Sequence, residues 1–338
     1  MRLLPSRSAK TLQTAITTVL TVAAILLAAC NLRLEPVAAQ IDNTAPYVAM
    51  LPGPAPPPGR LPVVPMPAPA PPPKPSWLVE HSPSHTIRPH RAWEVRPGIE
   101  LREGYYHGAH YHLVCVDRAQ AHVRIAPYKT TWTGGEKLTH MDVDTRSIVT
   151  LNGTFFEPKR PGARIYGEVK NELQAYRVPL IKRRTYWAVT REGRFEMDES
   201  PPCGRNAKGR MCYEIPLERW NRFTSVLGGG GRLLRDGRPA SIGAGYNDEG
   251  FRPDVLRKTN RSAIGWSRGQ RFMYLVAADQ PGWTPQATAE FLRDAGAWQG
   301  MLLDGGGSSE LVVKDHVRNK CEFGKERLLS TAVVVSKL

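Results

Sequence analysis

Leu302-Leu303-Asp304-Gly305-Gly306-Gly307-Ser308-Ser309-Glu310-Leu311-Val312-Val313 joins two apolar runs of strand length through three glycines, two serines and an acid. Glycine permits positive φ and close approach of another group to the backbone, so successive N–H groups can form an anion-binding concavity beside the Asp304 carboxylate. A plain hairpin turn is the alternative reading of any glycine run. Three common motifs do not fit. A phosphate-binding P-loop needs Gly-Lys-Ser/Thr opening a helix, whereas this turn has no lysine and opens a strand. A nucleophile elbow needs Gly-x-Ser-x-Gly between strand and helix, and Ser308 is followed by Ser309-Glu310. A dinucleotide fingerprint needs spaced glycines before a helix, which is also absent.

Upstream, Thr284 can cap a helix, Pro285 suits its first turn, Phe291, Leu292 and Ala295 give it an apolar face, and Gly296 ends it. This helix lies between the strand-like runs Phe272 to Ala278 and Met301 to Leu303, an order that predicts a right-handed βαβ crossover with parallel strands. Asp279 and Asp304 then follow the C-terminal ends of those strands, where such folds place ligands. Further strands are predicted at Tyr111 to Val116, Ser147 to Leu151, Tyr186 to Val189, Glu310 to Val313 and Thr331 to Val335, with a hairpin turn at Asp236-Gly237. The expected class is α+β: one domain over residues 96–338 with a mixed, strand-rich sheet, a βαβ unit and few helices.

The loop and its surroundings closely resemble the phosphodiester glycosidase family over residues 105–338. The matching pieces, in the family's order, are Asn152-Gly153-Thr154-Phe155-Phe156, Gly228 to Gly231 with Leu233-Leu234-Arg235-Asp236-Gly237, Arg261-Ser262-Ala263-Ile264-Gly265, Asp279, Asp304 to Ser309, and Glu326-Arg327. Many bacterial members carry Asn-Gly-Gly or Asn-Ala-Gly where this chain has Thr154, and often Gly where it has Gln280. These departures touch none of the charged groups, so they bear on substrate identity.

The resemblance implies hydrolysis at an anomeric carbon with a phosphate monoester leaving. Such a leaving group is a weak base and needs charge neutralisation more than protonation, which suits the planar fork of an arginine. Arg261 is the first candidate and Arg327 the second. The oxocarbenium-like transition state needs a carboxylate as nucleophile or base, and Asp304 fits. A carboxylate and a phosphate repel, so the amides of Gly305, Gly306 and Gly307 and the Arg261 guanidinium must lie between them. Asn152 would orient a sugar hydroxyl or water, and Ser308 and Ser309 would complete the substrate loop. Asp279 is a second carboxylate or a cap. Structural readings stand beside these: a turn-forming Asn152, and a solvated ion pair for Glu326 and Arg327.

The substrate implied is a phosphorylated glycan or an anionic envelope polymer. A non-catalytic glycan-binding protein using the same cleft is the alternative function, and a serine hydrolase using Ser308 or Ser309 a third. No cofactor and no metal is expected. His110 and His112, two apart on a strand, face the same way, and are read as polar surface rather than a metal pair.

Residues 2–10 carry Arg2, Arg7 and Lys10 without an acid, and Thr11 to Ala29 has no charge, the pattern of an export signal over residues 1–29. Leu27-Ala28-Ala29-Cys30 resembles a lipobox, which predicts lipidation at Cys30 and a membrane anchor. Cleavage near Val37-Ala38-Ala39 is the alternative. Asn31 in place of Asp points to the outer membrane, with the domain facing the periplasm. Pro52 to Pro75 holds 13 prolines in 24 residues, too few donors and too little apolar periodicity to fold, so residues 30–95 are read as an extended stalk. Losing residues 1–29 takes the formal charge from +15 to +12. The domain stays basic, yet it has no basic run interleaved with aromatics, so nucleic acid is not a partner. In an oxidising compartment the remaining cysteines would pair as Cys203 with Cys212 and Cys115 with Cys321. Their spacing does not suit zinc.

Overall fold

The computed structural model describes residues 87–159, 164–240, 242, 249–251 and 253–338. The export signal, Cys30 and the proline-rich segment lie outside the described residues. No helix among the described residues is long and apolar enough to cross a membrane.

In chain order the strands are β1 (Pro89–Arg96), β2 (Ile99–Tyr106), β3 (Ala109–Asp117), β4 (Val123–Lys129), β5 (Ser147–Asn152), β6 (Val169–Lys170), β7 (Ala175–Tyr176), β8 (Thr185–Thr190), β9 (Phe195–Glu199), β10 (Pro202–Arg205) and β11 (Met211–Tyr213). They continue with β12 (Phe223–Arg235), β13 (Arg238–Pro239), β14 (Thr259–Trp266), β15 (Phe272–Trp283), β16 (Gln299–Leu302), β17 (Leu311–Val313), β18 (His316–Val317) and β19 (Thr331–Lys337). Three α-helices accompany them among the described residues: α1 (Leu138–Thr145), α2 (Leu217–Arg222) and α3 (Pro285–Asp294). The architecture is therefore strand-rich with few helices. β1 starts at Pro89 and pairs with β2, so folded structure begins inside the stretch read as stalk.

A large sheet runs in the order β1-β2-β3-β15-β14-β16-β12-β6-β7, with β8 and β13 attached to β12 and β9 to β8. A smaller sheet has the order β18-β17-β5-β19-β4. Alternation along the strands decides which side each residue faces. In β15, Met273, Leu275 and Ala277 join the apolar cluster that also contains Val149, Leu151, Val333 and Val335 of the small sheet. Phe272, Tyr274, Val276 and Ala278 join the cluster around Phe291 and Leu292 of α3. The large sheet is thus covered on one face by the small sheet and on the other by α3.

Thr284 caps α3, its hydroxyl accepting from the Ala287 amide at 3.2 Å, and Pro285 opens the helix. Phe291 is fully buried against Trp283, Tyr106 and Tyr111, and burial of such a ring contributes about 2–3 kcal/mol.

Every strand pairing among the described residues is antiparallel, which corrects the mixed sheet and the adjacent βαβ pair. β14 and β15 form a hairpin across the short turn closed by Ser267 and Phe272, so β15 already has β14 on one edge before the chain passes through α3. β16 then pairs with the free edge of β14. β15 and β16 both run antiparallel to β14 and so point the same way, with β14 between them.

Candidate functional site

The register of β14 on β16 brings the first two site residues together. Ala263 pairs with Leu302, and continuing this antiparallel ladder by two residues sets Arg261 opposite Asp304 on the same face. Arg261 is buried and held by backbone: Nε donates to the Trp283 carbonyl at 2.9 Å, and Nη2 donates to the carbonyls of Val255 and Arg257. Its Nη1 lies against Gly305. A Cβ there would stand 3.2 Å from Nη1 and 2.8 Å from the Asn260 carbonyl, so only glycine lets the loop close over this guanidinium.

Asp304 is half-buried at the mouth of the loop, and its Oδ1 accepts from the Gly305 amide at 3.0 Å. Burial pushes its carboxyl up to about 6, although the Ser308 hydroxyl, the Arg327 and Arg261 charges and the Gly305 amide all favour the ionised form. Arg327 also donates to Ser308 Oγ at 3.3 Å and lies over the Phe156 ring. Gly306 to Ser308 form one turn of 3-10 helix rather than a loose hairpin.

Asn152 serves the loop rather than the substrate. Its Nδ2 donates to the Asp304 carbonyl at 2.8 Å and its Oδ1 accepts from the Glu310 amide at 3.1 Å, with the side chain buried. Ser309 is buried too and pairs with Ser262 Oγ at 2.7 Å, on the far side of the sheet from Asp304. Ser308 partners Asp304 and Arg327. Neither serine has a histidine partner among the described residues.

Asp279 is also turned away. Its neighbour Ala278 pairs with Arg261, so alternation points Asp279 to the opposite face. There its Oδ2 meets His112 Nε2 at 3.3 Å and His110 Nδ1 at 3.4 Å, and its Oδ1 accepts from the Lys320 amide at 2.8 Å. The four cysteines of the described residues are free thiols. Cys203 and Cys212 lie on the adjacent strands β10 and β11 without bonding. Cys115 sits in mid-sheet among the residues facing α3, whereas Cys321 feels the charges of Glu310, Glu326 and Asp279. The anticipated pairing of Cys115 with Cys321 is not formed.

Two clefts meet at Asp304. One, of about 330 Å³, is lined by Arg257, Lys258, Thr259, Arg261 and Gly305. The other, of about 500 Å³, is walled by Phe155, Phe156, Tyr166 and Phe251, with Arg184 and Arg327 among them. Asp254, Val255 and Phe155 line both with Asp304. Asp254 and the aromatic wall were not singled out in sequence, since Asp254 belongs to no motif and Phe251 and Tyr166 are distant in the chain. Beneath the loop, Glu310 is buried and pushed up to about 9, by burial first and then by its hydrogen bond to Glu326 and that carboxylate's charge. It bears a proton at neutral pH.

A family model described as phosphodiester glycosidase matches residues 145–336. No curated protein matches the chain. Among solved structures, a hypothetical protein from Synechocystis is similar with a TM-score of 0.51 at 17% identity, over 70% of this chain and 61% of that one. The chain thus spans about three-fifths of that protein's length. The catalytic domain of zebrafish N-acetylglucosamine-1-phosphodiester alpha-N-acetylglucosaminidase, auto-inhibited by its pro-peptide, is similar with a TM-score of 0.53 at 16% identity, over 74% of this chain and 89% of that one. At these identities the likeness is one of fold.

Proposed function

Because this chain belongs to the phosphodiester glycosidase family, we propose that it hydrolyses the anomeric C–O bond of a sugar-1-phosphodiester. The observation that carries this reading is the position of Asp304 where a basic cleft and an aromatic-walled cleft meet. A sugar ring packs on aromatic faces, and a phosphate diester is matched by Arg257, Lys258 and Arg261. The scissile bond would then lie beside Asp304.

In the reaction the anomeric C–O bond breaks and its electron pair goes to the phosphate oxygen. Asp304 supports the cationic anomeric carbon, either bonding to it or taking a proton from the attacking water. Water supplies the new anomeric hydroxyl. The products are a free sugar and a phosphate monoester. Arg261 cannot move without breaking its bonds to three carbonyls, so its charge is preorganised where the phosphate gains charge. Asp254 lines both clefts with Asp304 and, in place of Asp279, is the second carboxylate of the proposed site.

The substrate proposed is a phosphorylated glycan or anionic envelope polymer, reached from a membrane through lipidated Cys30 on the proline-rich stalk. The export pattern and the basic charge support that placement. Purified protein should release reducing sugar from a chromogenic sugar-1-phosphodiester. Asp304→Asn should lose at least about 1,000-fold in kcat/KM, the order expected when a group essential to the chemical step is removed. Equal rates for wild type and Asp304→Asn, or glycan binding without turnover in the wild type, would refute the assignment.

A further inference from the structure

On the opposite face of the large sheet from Arg261 and Asp304, β3 and β15 hold a second cluster that the proposed reaction does not use. His110 and His112 are alternate residues of β3, and the register of β15 on β3, Ala278 opposite Tyr111, sets Asp279 beside His110. Glu103 of β2 pairs directly with His112. One nitrogen of each histidine and one Asp279 oxygen lie within 4.8 Å of one another.

Their spacing suits a shared ion better than hydrogen bonds. The 3.3 and 3.4 Å separations of Asp279 Oδ2 from His112 Nε2 and His110 Nδ1 exceed the usual 2.7–3.2 Å of an N–H···O bond. They equal the edge of a tetrahedron with metal–ligand bonds of about 2.0–2.1 Å, which is about 3.3–3.4 Å. The outer partners follow the same logic. His112 Nδ1 meets Glu103 Oε1 at 3.0 Å, which fixes the proton on Nδ1 and leaves the Nε2 lone pair for the ion. Asp279 Oδ1 is held by the Lys320 amide at 2.8 Å, which orients Oδ2. His112 and Asp279 are buried while His110 is part-exposed, so the cluster is reachable from solvent on one side.

We propose that His110, His112 and Asp279 form a binding site for a divalent transition metal of the zinc type, with three protein ligands and the fourth position open to solvent. Two neutral imidazoles and one carboxylate are a zinc donor set, and Glu103 completes the carboxylate–histidine arrangement behind it. The ion bridges β3 to β15. Through Lys320 it also braces the segment whose Asn319 donates to the Ser309 carbonyl at 2.9 Å and accepts from the Leu311 amide at 2.7 Å.

The test uses the whole protein, stripped with chelator, its thiols alkylated, and titrated with Zn2+ and separately with Co2+. The wild type should bind one ion per chain, melt at higher temperature with Zn2+, and with Co2+ show visible d–d bands of a tetrahedral site without a thiolate charge-transfer band. Glu103→Gln should weaken binding about 10-fold. Asp279→Asn, which preserves the bond from Lys320, and His110→Ala, at the part-exposed position, should each weaken it far more. Their melting without metal shows whether either has failed to fold. Absence of uptake by the wild type at micromolar Zn2+, or undiminished uptake by folded Asp279→Asn and His110→Ala, would overturn the proposal.

Discussion

Asp304 carries two opposed influences, burial that raises its pKa and four groups that lower it, and the balance near 6 makes the proposed reaction pH-dependent. The rate of sugar release should rise as Asp304 ionises through about pH 6 and then level off. Arg327 is one of the groups favouring the ionised form, so Arg327→Gln should move that rise to higher pH as well as weaken phosphate binding. An unshifted profile would remove Arg327 from the site. Glu310 gives a stability signature instead. Its native pKa near 9 lies above the unfolded value of about 4.3, so between these the native state holds a proton that the unfolded chain has released. Its stabilising contribution is complete below about pH 4.3 and is lost as pH rises through about 9. Glu310→Gln keeps a donor for Glu326 and removes the titration. Melting temperatures followed from pH 5 to 9 should therefore fall less steeply in the variant than in the wild type. The sequence made Asp304 and Arg261 legible because both stand in recognisable motifs. It could not separate Asn152, Ser309 and Asp279 from them, because which face a side chain takes is decided by register. Asn152 proved to be a latch, Ser309 a core partner of Ser262, and Asp279 a member of the histidine cluster.

The elements themselves were more readable than their neighbours. Strand length and β-rich content located β3, β5, β15 and β19, and the Thr284 cap with Pro285 located α3. Which strands pair was hidden, because the β14–β15 hairpin competes with the crossover for the same edge, and an apolar run does not say which partner it meets. β12 shows how glycine positions an element. Gly229 has φ +93°, and a Cβ there would lie 1.9 Å from the Tyr166 carbonyl and 2.6 Å from Thr154 Oγ1. Gly229→Ala should thus cost at least about 2 kcal/mol, from strain and clash together, and should disturb the wall of the aromatic cleft through Tyr166. Chemical denaturation would measure it. A loss no larger than the helix-cap substitution Thr284→Ala, about 1 kcal/mol, would contradict this account of β12.

At the scale of the molecule, one antiparallel sheet separates two chemistries. The carboxylate with its arginines stands on one face of the strand ends and the His110, His112 and Asp279 cluster on the other, so substitutions in one should leave the other's signature in place. This division was invisible in the sequence, where Asp279 and Asp304 look alike, each following a strand. Family membership and a strand-rich fold were readable: the motif pieces quoted from the sequence pointed to the family whose model matches residues 145–336. The disulfides were not, since cysteine counts carry no coordinates. The central claim is that water attacks the sugar and leaves the phosphate–oxygen bonds intact. Turnover of a sugar-1-phosphodiester in 18O-labelled water decides it by mass spectrometry of the two products. The account predicts one 18O in the released sugar and none in the phosphate monoester. Label in the phosphate instead would mean cleavage at phosphorus, and would contradict the role given to Asp304.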